Sequence, residues 1–213
     1  MKKSILTILS VTTLAFLNAC DNGTSSSEDE ITSLKDDRDG QVYNVVKIGN
    51  QLWMAENLKY EIPTEDGASP SSFCYENNEA YCNQYGRLYA WSDALFVCPQ
   101  GWHLPDTTEW NKLFATVGGK NVAGTKLKAT STLWSSNGSG TNGGGTDDYG
   151  FGALPAGFKK GSSFFDLTLY GNFWTTARIN NNAYHVTVFY NKNSAEYITD
   201  SQDFALSVRC IKN

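Results

Sequence analysis

The sequence predicts an α+β domain held by disulfides, and three observations carry that expectation. Aromatic and glycine content is high, with 6 Trp, 11 Tyr, 11 Phe and 19 Gly in 213 residues. That composition suits short strands and turn-rich loops better than a helical bundle. The periodicity then changes along the chain, from alternation near residue 45 to helical spacing near 90 and 110, and back to alternation after 180, which is the order of an α+β domain. Finally, Cys74, Cys82, Cys98 and Cys210 form an even set, which in an exported chain reads as two disulfides. Three pairings are open to four cysteines, and free thiols or a zinc site using all four sulfurs are the alternatives, although no CxxC pair supports zinc.

Export is read from the first residues. Met1-Lys2-Lys3 is a basic start and Ile5 to Phe16 is apolar apart from Ser and Thr; the stretch is too short to span a bilayer and fits a secretory leader. Leu17-Asn18-Ala19-Cys20 resembles the lipobox of bacterial lipoproteins, with Asn18 a less common choice. The resemblance implies cleavage before Cys20 and acylation of its thiol; a soluble secreted protein cut near Ala19 is the alternative. This gives a signal peptide over 1–19, a flexible tether over 20–35 rich in Ser, Thr and acids, and a domain over 36–213. The formal net charge is −5 and the leader contributes two lysines and no acid. The mature chain is therefore more acidic still, which excludes nucleic acid as a natural partner and leaves lipid as the only membrane attachment expected.

The elements follow in order. Val42 to Ile48 alternates as a strand, Gly49-Asn50 is a hairpin turn, and Gln51 to Met54 returns. Residues 61–72 carry Pro63, Gly67 and Pro70 and read as loop. Leu88, Trp91 and Leu95 fall at i, i+3 and i+7, predicting a helix over 88–97 that Pro99 stops. Asp106 and Glu109 make a capping box for a second helix, whose Trp110, Leu113, Phe114 and Val117 share one face and which Gly118-Gly119 ends. Residues 135–146 are almost only Gly, Ser, Asn and Thr, a long flexible loop. Tyr184, Val186, Val188 and Tyr190 lie on one face of a strand and His185, Thr187 and Phe189 on the other. Residues 191–194 turn the chain into a strand over 195–198. Residues 205–211 read as a half-buried last strand, with Leu206, Val208 and Cys210 inward and Ser207 and Arg209 outward.

Several stretches then resemble one family. Residues 37–43 and Lys47-Ile48-Gly49-Asn50-Gln51-Leu52-Trp53-Met54-Ala55-Glu56-Asn57-Leu58 look like the opening of the Fibrobacter-type major paralogous domain (FISUMP). Residues 85–91, Cys98-Pro99-Gln100-Gly101-Trp102-His103-Leu104-Pro105, Asp148-Tyr149-Gly150-Phe151, residues 153–157 and Ser207-Val208-Arg209-Cys210 continue the match in order over about 36–213. The resemblance implies a bacterial envelope lipoprotein family and a C-type-lectin-like fold, with two helices, small antiparallel sheets and long loops. Formylglycine-generating enzymes and retroelement-diversified receptors share that fold. It also implies that Cys98 pairs with Cys210, which leaves Cys74 to pair with Cys82.

Candidate chemistry is sparse. His103 and His185 have neither HxH nor HExxH spacing to another ligand; His103 reads as structural and His185 as a surface or cleft residue. All four mature cysteines have structural explanations, so the oxidase activity of formylglycine-generating enzymes is not carried over. No GxSxG elbow or phosphate-binding loop is present. Asp147 and Asp148 with Asn142 offer hard oxygens to Ca²⁺, against the reading of Asp148-Tyr149-Gly150 as a turn; no cofactor is expected otherwise. What remains is a recognition surface. Trp174, Asn180, Asn182, Tyr184, Tyr190 and Tyr197 are the candidates, since aromatic faces beside amides suit glycans or protein epitopes. The expectation is a non-catalytic, lipid-anchored binding or adhesion module of the bacterial cell envelope, on the outer membrane. Its partners would be a glycan or a surface protein. A diverged enzyme of the formylglycine-generating type and a structural envelope protein are the alternatives.

Overall fold

The computed structural model describes residues 32–64, 70–136 and 143–213. The leader, Cys20, the tether through residue 31 and Asn142 lie outside the described residues. The chain opens with β1 (Ser33–Lys35), β2 (Val42–Ile48) and β3 (Gln51–Met54). β2 and β3 form the expected hairpin, with Gly49 at φ +63°. Composition assigns 33–35 to the tether, but Leu34 packs against the core and β1 pairs antiparallel with the start of β2. β4 (Ser72–Phe73) and a 3-10 turn over Tyr75–Asn77 lead into α1 (Glu79–Tyr85), capped by the Asn78 side chain.

The helix expected over 88–97 is corrected. Leu88–Ala90 is strand β5, and only Trp91–Ala94 is helical (α2). The helical spacing of Leu88, Trp91 and Leu95 is overridden because β5 pairs with a strand from the far end of the chain, which buries Leu88 and Tyr89 on opposite faces. β6 (Trp102–His103) precedes α3 (Thr107–Thr116), which has both reciprocal bonds of the predicted capping box: Glu109 N–H to Asp106 Oδ1 at 2.8 Å and Asp106 N–H to Glu109 Oε2 at 2.8 Å. Gly118 and Gly119 end it at φ +99° and +100°. The next helix, α4 (Lys120–Leu127), has no hydrophobic periodicity to announce it.

The remainder is sheet: β7 (Ala156–Lys160), β8 (Ser163–Leu167), β9 (Tyr170–Ile179), β10 (Asn182–Phe189), β11 (Ala195–Ser201), β12 (Ala205–Ser207) and β13 (Ile211–Lys212). One sheet runs β1-β2-β3-β13-β6; the other runs β11-β10-β9-β12-β5-β4, with the β7–β8 hairpin beside β12. Among the described residues every strand-to-strand pairing is antiparallel except β9 with β12, and an isolated bridge between Lys128 and Ala153 is also parallel. The last strand is therefore not one half-buried element. It leaves the second sheet after Ser207 and joins the first at Ile211, and between the sheets both of its faces are buried. Trp53, Trp110, Phe114, Phe151 and Phe173 fill the core under α3, and Tyr43, Met54, Tyr89, Trp174, Leu206 and Val208 fill a second one.

This crossing places Arg209 at 0% exposure. Its Nε donates to Asn57 Oδ1 at 2.7 Å, its Nη1 to the carbonyls of Met54 (3.1 Å) and Phe151, and its Nη2 to the Gly152 carbonyl at 2.8 Å. The guanidinium also lies 4.6 Å from the Phe151 ring centre. Outward alternation fails for Arg209 because a strand passing between two sheets has no solvent face. The disulfides are Cys98–Cys210, which fixes the crossing, and Cys74–Cys82. The four sulfurs are therefore in two separate bonds, which overturns the zinc alternative.

Candidate functional site

The six residues expected to form a ligand surface are not gathered into one. Trp174 is a core residue at 0% exposure, its Nε1 donating to the Tyr89 carbonyl at 2.8 Å. Tyr197 is tied to α3: its ring meets Phe114 at 5.8 Å, and its hydroxyl lies 3.0 Å from the Thr107 carbonyl and 3.2 Å from Asn111 Oδ1. Burial pushes its pKa well above the ordinary tyrosine value. Tyr190 is half-buried against the core under α3, and Tyr184 is half-buried on β10. Asn180, at φ +53°, and Asn182 are exposed where β9 turns into β10. Asn182 and Tyr190 lie at opposite ends of β10, roughly 26 Å apart at about 3.3 Å per residue. The pattern misleads because both faces of β10 are covered: Val186 and Val188 enter the core under α3, while His185 and Thr187 are buried against Trp174 and Asn172 and Phe189 packs on Tyr170.

His185 is likewise not a surface residue. It is 2% exposed, with Nε2 3.0 Å from Asp200 Oδ2 and Nδ1 3.1 Å from Thr187 Oγ1. His103 is structural, bridging two side chains: Nε2 lies 2.9 Å from Glu109 Oε1 and Nδ1 2.6 Å from Asn213 Oδ1. Asp147 opens the turn over Asp148-Tyr149-Gly150: its carbonyl accepts the Gly150 N–H at 3.0 Å and its Oδ1 accepts the Gly152 N–H at 2.8 Å. Burial raises its carboxyl pKa, while Gly152 N–H and Arg209 oppose the shift. A guanidinium so placed disfavours a divalent cation on Asp147. Among the described residues, only Cys74, Glu79 and Cys82 converge as metal-type ligands, and both sulfurs are already joined.

The recess of interest lies elsewhere. Two adjoining hollows of about 310 and 300 Å³ follow the line between the β2–β3 turn and the outer face of α3. Asn50, Gln51 and Lys112 line both. Glu109, Lys212 and Asn213 border one, and Thr116 with Gly49 closes the other. The groove forms because the turn packs directly on the helix, so that a Cβ on Gly49 would meet Thr116 Oγ1 at 2.8 Å. Glu109, Lys112 and Thr116 fall at i, i+3 and i+7 on α3, giving one polar stripe along its length. Both Glu109 oxygens are occupied, one by His103 and one by the Asp106 N–H. Neither Lys112 nor Lys212 forms an ion pair among the described residues. Gln51 Oε1 is closed off from solvent with no hydrogen-bond partner.

A smaller hollow of about 200 Å³ lies between Arg38, Tyr60, Ile62, Asp93 and Phe96. Arg38 stacks 3.8 Å above the Tyr60 ring and pairs with Asp36 at 2.6 Å, and Phe96 stands 84% exposed. Sequence reading missed both recesses. The groove draws on three distant segments of ordinary polar residues, and only the Asp106/Glu109 cap marks its helix wall.

Residues 46–212 match the Fibrobacter succinogenes major domain. No curated protein and no solved structure matches the chain.

Proposed function

The chain belongs to the Fibrobacter succinogenes major domain family, and from that premise we propose that it is a lipid-anchored envelope protein that binds rather than catalyses. Cys20 carries the lipid, the acidic segment after it is a tether, and the domain displays a recognition groove on a C-type-lectin-like scaffold. Three features support the scaffold: strands from both ends of the domain share the first sheet, α3 and α4 flank one core, and a long disulfide ties the chain near α2 to the last strand.

The observation that carries the binding reading is the groove itself. It is open and lined by amides and ammonium groups. The four cysteines of the domain and both histidines, the groups best suited to covalent or acid–base work, are meanwhile tied into disulfides and side-chain bridges.

Two experiments test the reading. Mass spectrometry of the mature N-terminus should find an acylated Cys20; an unmodified first residue rejects the anchor. A screen of the purified chain against envelope polymers, soluble glycans and surface proteins should return a binder. Silence from every bait would favour a purely structural role.

A further inference from the structure

We propose that the hollow beside Phe96 docks a protein partner through one basic side chain, a lysine or an arginine. The site shares no residue with the groove along α3, so it is a second recognition surface and stands or falls without the first.

Charge makes the first selection. Asp93, on α2, lines the hollow, and among the described residues no hydrogen bond or ion pair reaches its carboxylate. Unpaired acids are common on any surface, where water solvates them. Asp93 and Asp166 differ from the other described acids in that burial alone acts on them, raising the carboxyl pKa with nothing opposing the shift. Asp166 lines neither the groove nor this hollow. A partly desolvated carboxylate gains more from a cation than a hydrated one does. Arg38, the one base lining the hollow, leaves that demand unmet. Its Nε and Nη2 donate to the two Asp36 oxygens at 2.9 and 2.6 Å, and its guanidinium sits over the Tyr60 ring. Asp37 and Asp39 flank it on the same turn, so its surroundings stay negative.

Size and exposure make the second. At about 200 Å³ the hollow is below the roughly 300–1,000 Å³ of small-ligand sites, and it suits one side chain better than a whole ligand. Ile62, Pro63 and Val97 give apolar walls to the methylene stem of that side chain, with its charged head at Asp93. Phe96 stands at the rim, 84% exposed, the most exposed large apolar residue among those described. One exposed apolar residue is ordinary by itself. Here the ring adjoins apolar walls and an unpaired carboxylate, and covering it takes a body larger than the occupant of the hollow. A polypeptide supplies both at once: the basic side chain inside, and its apolar neighbours over the ring. That is the arrangement of an interface anchor seated in a pocket and surrounded by contacts that exclude water.

The test is an NMR titration of the full mature chain, made with Cys20→Ser so that it needs no detergent. The probes are the blocked tripeptide acetyl-Leu-Lys-Leu-amide, the same peptide with norleucine for lysine, and n-butylammonium, which is the basic side chain without a backbone. The lysine peptide should give saturable shifts at Asp93, Phe96 and Val97. It should bind at least about fivefold more tightly than the norleucine peptide and about tenfold more tightly than n-butylammonium, and the first ratio should shrink as salt rises. Asp93→Asn should erase the preference for lysine over norleucine. Phe96→Ser should weaken both peptides and leave n-butylammonium unchanged. Neither variant should shift the melting temperature, since the carboxylate has no partner to lose and the ring is on the surface. Asp203→Asn, an exposed acid outside the hollow, should change nothing. Equal binding of the two peptides, a lysine preference that survives Asp93→Asn, or no saturable shift with any probe would each overturn the assignment. So would n-butylammonium binding as tightly as the lysine peptide, which would make this a small-cation site. Self-association of the free chain, or its binding to phosphatidylcholine vesicles, that Phe96→Ser abolishes would give the ring to a second copy or to lipid and overturn it too. Each of these outcomes leaves the groove untouched.

Discussion

The two disulfides staple regions of opposite character. Cys98–Cys210 joins residues 112 apart in sequence, at the point where the chain passes from one sheet to the other beside the buried Arg209. Cys74–Cys82 joins residues 8 apart and closes a local loop over α1, next to a recess lined by Glu61, Glu79 and Arg87. The first bond restrains the whole topology and the second restrains one turn of it. The difference shows where the fold keeps its cooperativity: in a polar seam, where one guanidinium gathers three backbone carbonyls and one amide from separate segments.

The sharpest way to break the comparison is to remove the guanidinium and leave the sulfur. Arg209→Ala strands the Met54, Phe151 and Gly152 carbonyls and Asn57 Oδ1, at about 1–3 kcal/mol for each buried group left unpaired. We expect a loss of at least about 5 kcal/mol, read as failure to fold or as a melting point lower by more than about 10 °C. Burial lowers the Arg209 pKa to about 9, which still leaves it cationic at neutral pH, so Arg209→Met removes the charge as well as the bonds and should be nearly as damaging. A mild loss would mean that the disulfide alone holds the seam.

The sulfur is tested next. By loop-closure entropy the long disulfide stabilises by about 4.8 kcal/mol and the short one by about 2.5 kcal/mol. Cys98→Ser should therefore lower the melting temperature about twice as far as Cys74→Ser, roughly 10–20 °C against 5–10 °C. Equal losses in differential scanning calorimetry would show that the seam holds without its covalent tie, or that the loop over α1 matters beyond its own closure.

What the sequence disclosed divides along the same line. α3 was legible because all its signals are local: Asp106 and Glu109 at one end, an apolar stripe of Trp110, Leu113 and Phe114, and paired glycines at the other. The β2–β3 hairpin was legible for the same reason. β5 was not, because its identity as a strand depends on Ala205–Ser207, far along the chain. Arg209 misled because alternation is informative only for a strand with one wet face, and the crossing segment has none. The pairing of Cys98 with Cys210 came with the family resemblance and not from spacing. The groove was invisible to sequence reading, since Asn50, Lys112 and Lys212 carry no motif and come together only where β13 pairs with β3 and the β2–β3 turn packs on α3.

A second buried cation sharpens the contrast by titration. Lys128 is 3% exposed, its Nζ donating to the Phe189 carbonyl at 2.7 Å and the Lys192 carbonyl at 3.3 Å, beneath the Trp134 ring. Like Arg209 it donates to backbone carbonyls and to no carboxylate, but it has fewer of them and lacks the nearby Asp147 and Glu56 charges that favour the cationic Arg209, and burial pulls its pKa from 10.5 to about 8. Between those two values the unfolded chain holds the proton more tightly than the folded one, so stability rises as pH climbs through 8. Above about pH 10 the trend reverses. The hydroxyls of Tyr43, Tyr89 and Tyr197 are pushed up by burial, so the unfolded chain then releases their protons first. Denaturant midpoints from pH 7.5 to 9.5 should show a gain on the order of 1 kcal/mol, and Lys128→Met should flatten it. A flat profile in the native chain, or a rise that survives Lys128→Met, would mean that the carbonyl cradle keeps this lysine charged as firmly as the seam keeps its arginine.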